Sequence, residues 1–208
     1  QIGGRPFRII TDPELANSNK TMMYRAMNAN GYDAFYLRGY PEYAAQSEGH
    51  AVADSSRVYL KNQETPQMRR AGVVYRLTAD GKLAAGGPAW PLVYFDGRAA
   101  EQAQRDWSVV LESPERWIAR GKKVAHAEKI VIAIPDYPGW RAELNGQRVP
   151  LAASGYFLSL RLPEGLPAGV PLELKLIFAP TFWALWVAIT VFAWAAWFKR
   201  GLMVLAHD

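Results

Sequence analysis

The chain has 208 residues, half of them apolar, with 24 Lys and Arg against 19 Asp and Glu; this excludes a disordered polypeptide and sets the size of one generous domain or two small ones. The net charge of +5 is spread along the chain rather than clustered, which argues against nucleic acid as a partner. Without cysteine there are no disulfides, thiolate metal sites or cysteine nucleophiles, and His50, His126 and His207 lie too far apart for metal-ligand spacing.

The chain begins at Gln1 with no basic-then-apolar leader, so it reads as a piece of something longer or as a processed product. Residues 1–104 read as mixed α/β. Ile9-Ile10 end a short strand, Thr11-Asp12-Pro13-Glu14 has the cap-then-proline pattern of a helix start, and Lys20–Ala29 has helix-compatible composition ended by Asn30-Gly31. Asn19-Lys20-Thr21 matches the N-glycosylation pattern, a triplet common by chance. Tyr32, Phe35, Tyr36, Tyr40 and Tyr43 recur at near-helical spacing, with Gly39 and Pro41 breaking the run into two short turns. This stripe is either the packed face of a helical hairpin or a surface that stacks on sugar rings, with Tyr32 and Tyr36 as the candidate contacts. Val73–Thr78 reads as a strand running into the hairpin turn Ala79-Asp80-Gly81-Lys82, Ala84–Trp90 as a loop, and Pro91–Phe95 as a short strand closed by Asp96-Gly97.

Residues 105–179 read as mostly β. Gly121-Lys122-Lys123 lacks the upstream glycine of a phosphate loop and reads as a solvated turn. Lys129–Ile134 is a β-branched strand, and Asn145-Gly146 between Arg141–Leu144 and Gln147–Pro150 supplies the positive-φ pair of a tight hairpin. Tyr156–Leu162 and Pro171–Phe178 alternate with period two, Leu172, Leu174 and Leu176 pointing inward. Strands at this spacing predict an antiparallel sandwich.

Phe182–Phe198 is a seventeen-residue run with no charge and one polar side chain, Thr190. As a helix it would cover about 26 Å, slightly under the roughly 30 Å hydrocarbon core. Trp183 and Trp186 near one end, and Trp194 and Trp197 near the other, suit the headgroup region, while Lys199 and Arg200 place the C-terminus in the cytoplasm. A core helix buried in a soluble domain is the competing reading. The expected fold class is therefore α+β: a mixed α/β part (1–104), an antiparallel sandwich-like part (105–179), one transmembrane helix (180–200) and a cytoplasmic tail (201–208). The main domain would lie outside the cytoplasmic membrane, with membrane lipid as one partner.

No catalytic motif stands out: G-x-S-x-G, H-E-x-x-H, the Walker loop and the dinucleotide fingerprint are all missing, so no catalytic residue and no metal ligand is assigned. The most distinctive cluster runs from Asp136 to Gly146, with a Pro138-Gly139 bend that presents Trp140. It is either an aromatic platform facing sugar or lipid, with Tyr137, Trp140 and Arg141 as contacts, or a corner whose indole plugs the core. Arg141 and Arg148 could reach lipid phosphates, or be ordinary solvated charge on strand edges.

The stretch KIVIAIPDYPGWRAELNGQRVPL, then GYFLSLRLPEG and LELKLIFAP before an apolar helix, resembles the C-terminal end of bacterial YfhO-type membrane proteins and of the wider GT-C-like glycosyltransferases. Upstream, Asn30–Asp33, Arg70–Tyr75 and Pro91–Tyr94 resemble the same family's segments in order, with Asn145 where Asp is usual and Val74 where a basic residue is often found. The resemblance implies many membrane helices upstream of Gln1 in the same polypeptide and transfer of a sugar from a polyprenyl-phosphate donor to a cell-envelope acceptor. It places catalytic acids in loops this chain does not contain; this segment would itself hold no cofactor. The function so implied is an extracytoplasmic cap domain with the last membrane helix. The alternative is a non-catalytic membrane-anchored module that binds envelope glycan or protein.

Overall fold

The computed structural model describes residues 6–12, 14–15, 27–32, 39–49, 57–58, 60–179, 186–194 and 197. The fold is mixed α+β, mostly strands arranged in several sheets.

The first layer is a four-stranded sheet in the order β2 (Met27–Asn28), β1 (Arg8–Thr11), β5 (Val73–Leu77), β6 (Leu83–Ala85). Its centre is parallel, β1 pairing with both β2 and β5, whereas β5 and β6 form the antiparallel hairpin expected at Asp80-Gly81. Gly81 takes a φ of 79° there, and the Thr78 N–H donates to the Lys82 carbonyl at 2.9 Å. The hairpin's return arm reaches Ala85, so the segment read as a loop from Ala84 begins as strand. Residues 27–28 of the helix expected over Lys20–Ala29 are strand, and the chain after Thr11 makes a turn in which Asp12 Oδ1 accepts from the Glu14 N–H at 3.1 Å. Glu14 and Leu15 form that turn and Ala29 is a bend, so none of these is helical; residues 13 and 16–26 lie outside the described residues. β3 (Gly31–Tyr32) pairs antiparallel with β4 (Arg57–Val58).

Two helices pack on each other, the second also against β5. α1 (Tyr40–Glu48) starts at Gly39, φ 90°, and ends at Gly49, φ 73°. The reading of Gly39 and Pro41 as breakers is thus corrected: they open the helix. Proline in the first turn lacks only an N–H that has no helical partner there, and glycine accepts the left-handed entry. α2 (Pro66–Arg70) is capped by Thr65, whose hydroxyl accepts from the Met68 N–H at 3.2 Å.

The second half contains two further sheets. One has the order β13 (Ala152–Ser154), β14 (Phe157–Arg161), β10 (Lys129–Pro135), β7 (Val93–Phe95). The other has the order β12 (Gln147–Val149), β11 (Trp140–Leu144), β15 (Pro171–Phe178), β9 (Arg116–Lys122), β8 (Trp107–Ser113), all antiparallel. α3 (Ala100–Asp106) leads into β8. The β7–β10 ladder ties residues 93–95 to the sheet of the second half.

Alternation decides what packs. Val109, Trp117, Ala119, Ala142, Leu144, Leu172, Leu174 and Leu176 share one face of the five-stranded sheet and are all buried. They belong to the same core as Val93, Phe95, Ile130, Ile132, Leu158 and Leu160 of the other sheet, with Phe95 and Trp107 ring centroids 5.2 Å apart. β10 is buried from Ile130 to Ile134, on both faces, as a continuous apolar run requires. Gly121 and Lys122 are strand rather than a solvated turn. A Cβ on Gly121 would stand 2.9 Å from the Trp107 ring and 2.5 Å from the Asp106 carbonyl oxygen, so glycine is what lets that indole close the core.

Beyond β15, residues 186–194 and 197 are helical and exposed, Phe192 at 76% and Trp197 at 71%. Among the described residues, no helix is long and apolar enough to cross a membrane. The remainder of the span expected over 180–200, including Trp183, Lys199 and Arg200, and the tail over 201–208 lie outside the described residues.

Candidate functional site

The structure brings together Tyr137 and Trp140, but not Arg141, at the end of the five-stranded sheet where the chain leaves β15. Trp140 is opposite Phe178 in the ladder, their rings 5.2 Å apart, with Trp117 at 6.2 Å from Trp140 and Tyr137 at 5.9 Å from Phe178. The Ala179 N–H donates to the Gly139 carbonyl at 2.8 Å and fixes the bend to the departing chain. Trp140 is half-buried against the core, and Tyr137 is also half-buried. Arg141 is exposed on the opposite face, in register with Ile177, whereas Arg148 pairs with Glu143 further from the exit. Tyr32 is the last residue of β3, opposite Arg57, and is not brought to this cluster by any ladder; Tyr36 lies outside the described residues.

A second arrangement, not anticipated from the sequence, is a cleft of about 500 Å³ between α1, α2 and the open face of the β13–β14–β10–β7 sheet. Register explains its floor. Tyr94, Val131 and Ser159 are cross-strand partners on one face, and Phe157 follows on the same side of β14. Ile130, Ile132 and Leu160 take the other face into the core, which leaves this one for the helices to cover. They cover it in part: Tyr43 of α1 stacks on Tyr156 at 4.6 Å and meets Phe157 edge-on at 5.4 Å. The Tyr43 hydroxyl donates to the Gln67 carbonyl, tying α1 to α2, and the Tyr40 hydroxyl donates to the Ala29 carbonyl.

Trp90 forms the opposite wall. Its indole N–H donates to the Arg98 carbonyl at 3.0 Å, its ring lies 6.3 Å from Tyr94, and the Arg70 guanidinium sits over it at 5.9 Å. Arg98 is held by Asp106 through contacts of 3.1 and 3.3 Å. Lys129 Nζ pairs with Asp96 at 2.7 Å and donates to the Ser154 hydroxyl at 3.2 Å, which makes this lysine an anchor rather than a base for the serine. A more polar cleft of about 690 Å³ adjoins at Asp96 and Gly97 and runs past Lys123, Arg161 and Glu164.

Burial sets the electrostatics. It pushes the Tyr43 and Tyr156 phenols well above their ordinary range and Tyr94 up to about 12, so all three stay neutral donors. Behind the Tyr43–Tyr156 wall, desolvation lowers Arg8 to about 10 while the surrounding phenols oppose the shift. Its Nη1 donates to the Ala71 carbonyl at 2.6 Å.

Aromatic faces, amide side chains of Gln46 and Gln67, and guanidinium groups around one opening can bind a ring-bearing polar molecule. Among the described residues, no group of three His, Asp or Glu side chains is placed to hold a metal ion. The sequence reading missed the cleft because Tyr43, Arg70, Trp90, Tyr94 and Tyr156 come from five separate segments and only the sheet register and helix packing bring them together. Comparison with protein-family models, curated proteins and solved structures returned no match.

Proposed function

We propose that this chain is the extracytoplasmic cap and last membrane helix of a polytopic membrane protein similar to the lipid-linked-sugar glycosyltransferases, and that its aromatic cleft holds part of an envelope glycan. The supporting observation is the helical stretch 186–194, where Trp186, Val187, Ile189, Val191, Phe192 and Trp194 are each at least 49% exposed, on all sides of the helix. Lipid is the solvent that accepts such a surface. Thr190, the one polar side chain, donates its hydroxyl to the Trp186 carbonyl at 2.8 Å, the bond that satisfies a hydroxyl inside a bilayer. These nine helical residues cover about 14 Å, and in this reading a full crossing would need the flanking apolar sequence as well. The two β-sheets that share a core would form the sandwich standing at the outer surface. The domain carries no catalytic residue of its own in this reading; a sugar from a polyprenyl-phosphate donor would be transferred by acids elsewhere in the polypeptide.

A second reading, a single-span module that binds glycan or a partner protein without catalysis, draws on the cleft, whose Ser154 is held by the neighbouring Lys129. An immunoblot of native membranes with an antibody against residues 1–178 separates the two. A band several times heavier than 23.2 kDa supports the polytopic protein, and a membrane-bound band near that mass supports the single-span module. Release of the antigen by alkaline carbonate, which strips peripheral proteins but leaves spanning ones, overturns both.

A further inference from the structure

We infer that the aromatic cleft is built for a sugar ring that carries a negative charge, a phosphate or a carboxylate, with Arg70 as its counter-ion. This rests on the glycan reading of the cleft and adds a charge to it. Each carboxylate at the cleft is already matched: Asp96 by Lys129 at 2.7 Å, and Asp106, beside it, by Arg98. Arg70 is exposed at the mouth and its contact is the face of Trp90. Among the described residues, no carboxylate pairs with it. The groups at the cleft therefore leave a surplus of positive charge next to stacking surfaces. A guanidinium over an indole still has N–H groups to offer, and its fork matches two oxygens of a phosphate or carboxylate. A neutral sugar would use the rings and leave the guanidinium without a partner.

The test uses the full chain in lipid nanodiscs at low salt, with binding followed by ligand-detected NMR. The probes are trigalacturonate against maltotriose, and glucose 1-phosphate against glucose, so that the carboxylate and phosphate forms of the charge are read separately. The expected result is that at least one charged probe binds roughly tenfold more tightly than its neutral counterpart, the scale of one charge-assisted hydrogen-bonded pair. Arg70→Gln should abolish that difference and leave neutral binding intact, while Arg70→Lys should retain part of it. Trp90→Ala should weaken charged and neutral probes alike. Equal binding of charged and neutral probes overturns the inference and leaves the glycan reading standing. Failure of the folded protein to bind any of the four sugars overturns the glycan reading and this inference with it.

Discussion

Tyr43 joins three parts of the molecule: its ring stacks on Tyr156, its edge meets Phe157, and its hydroxyl reaches the Gln67 carbonyl of α2. A phenol so placed stays protonated in the folded protein at pH values where the unfolded chain loses its proton. Tyr43, Tyr94 and Tyr156 are all raised by burial, so above about pH 10 the unfolded state binds fewer protons and stability falls as pH rises. Arg8 acts in the opposite sense, since a folded value of about 10 against an ordinary 12.5 adds stability as pH rises through that window. With three phenols against one guanidinium the net slope is negative. Urea unfolding at pH 8, 10 and 11 should show declining midpoints. Tyr43→Phe should lower stability at pH 8, through loss of the Gln67 bond, and flatten the decline at high pH. An unchanged slope would mean that Tyr43 titrates normally.

Among the elements, the Asn145-Gly146 hairpin shows how a local signal becomes a tertiary one. Asn145 and Gly146 take φ values of 51° and 80°, the pair expected of this dipeptide. The asparagine also pairs with the neighbouring strand: its backbone N–H donates to the Glu173 carbonyl at 2.8 Å, and its side-chain oxygen accepts from the Glu173 N–H at 2.7 Å. Asn145→Ala should therefore cost about 1–2 kcal/mol, combining the left-handed strain with a lost hydrogen bond, as read by thermal or urea denaturation. Asn145→Gly should recover the conformational part only. The strands legible in the sequence, β5, β10, β11, β14 and β15, each carry their own alternation or continuous apolar run. β9 was not legible, because its inward positions include Ala119 and Gly121, which carry little apolar signal. Gly121 is without a side chain because Trp107 fills the space above it.

For the whole molecule, the core draws on β1, α1, α2 and the strands of both large sheets and, among the described residues, on none of the helical positions 186–194 and 197. A chain ending at Ala179 should thus remain folded, with the thermal transition of the full chain, and should be recovered without detergent, whereas the full chain should float with liposomes on a density gradient. Flotation of the truncated chain to the same extent would move the membrane contact into the folded part, where the Tyr137, Trp140 and Phe178 rings at the exit of β15 would be the first place to look. The cleft is a property of this scale as well, since its walls belong to different layers.

The sequence by itself determined the β-dominated second half, the hairpin turns at Asp80-Gly81 and Asn145-Gly146, the inward leucines of β15 and the apolar character of the chain after Pro180. Each depends on neighbours within a few residues, where period and turn chemistry act directly. Only the tertiary structure decided that Gly39 and Pro41 open a helix, that Gly121 lies beneath an indole, and that rings from four segments share one opening with Arg70. Those outcomes depend on which strand pairs with which and in what register, and a one-residue slip would send each such side chain to the opposite face.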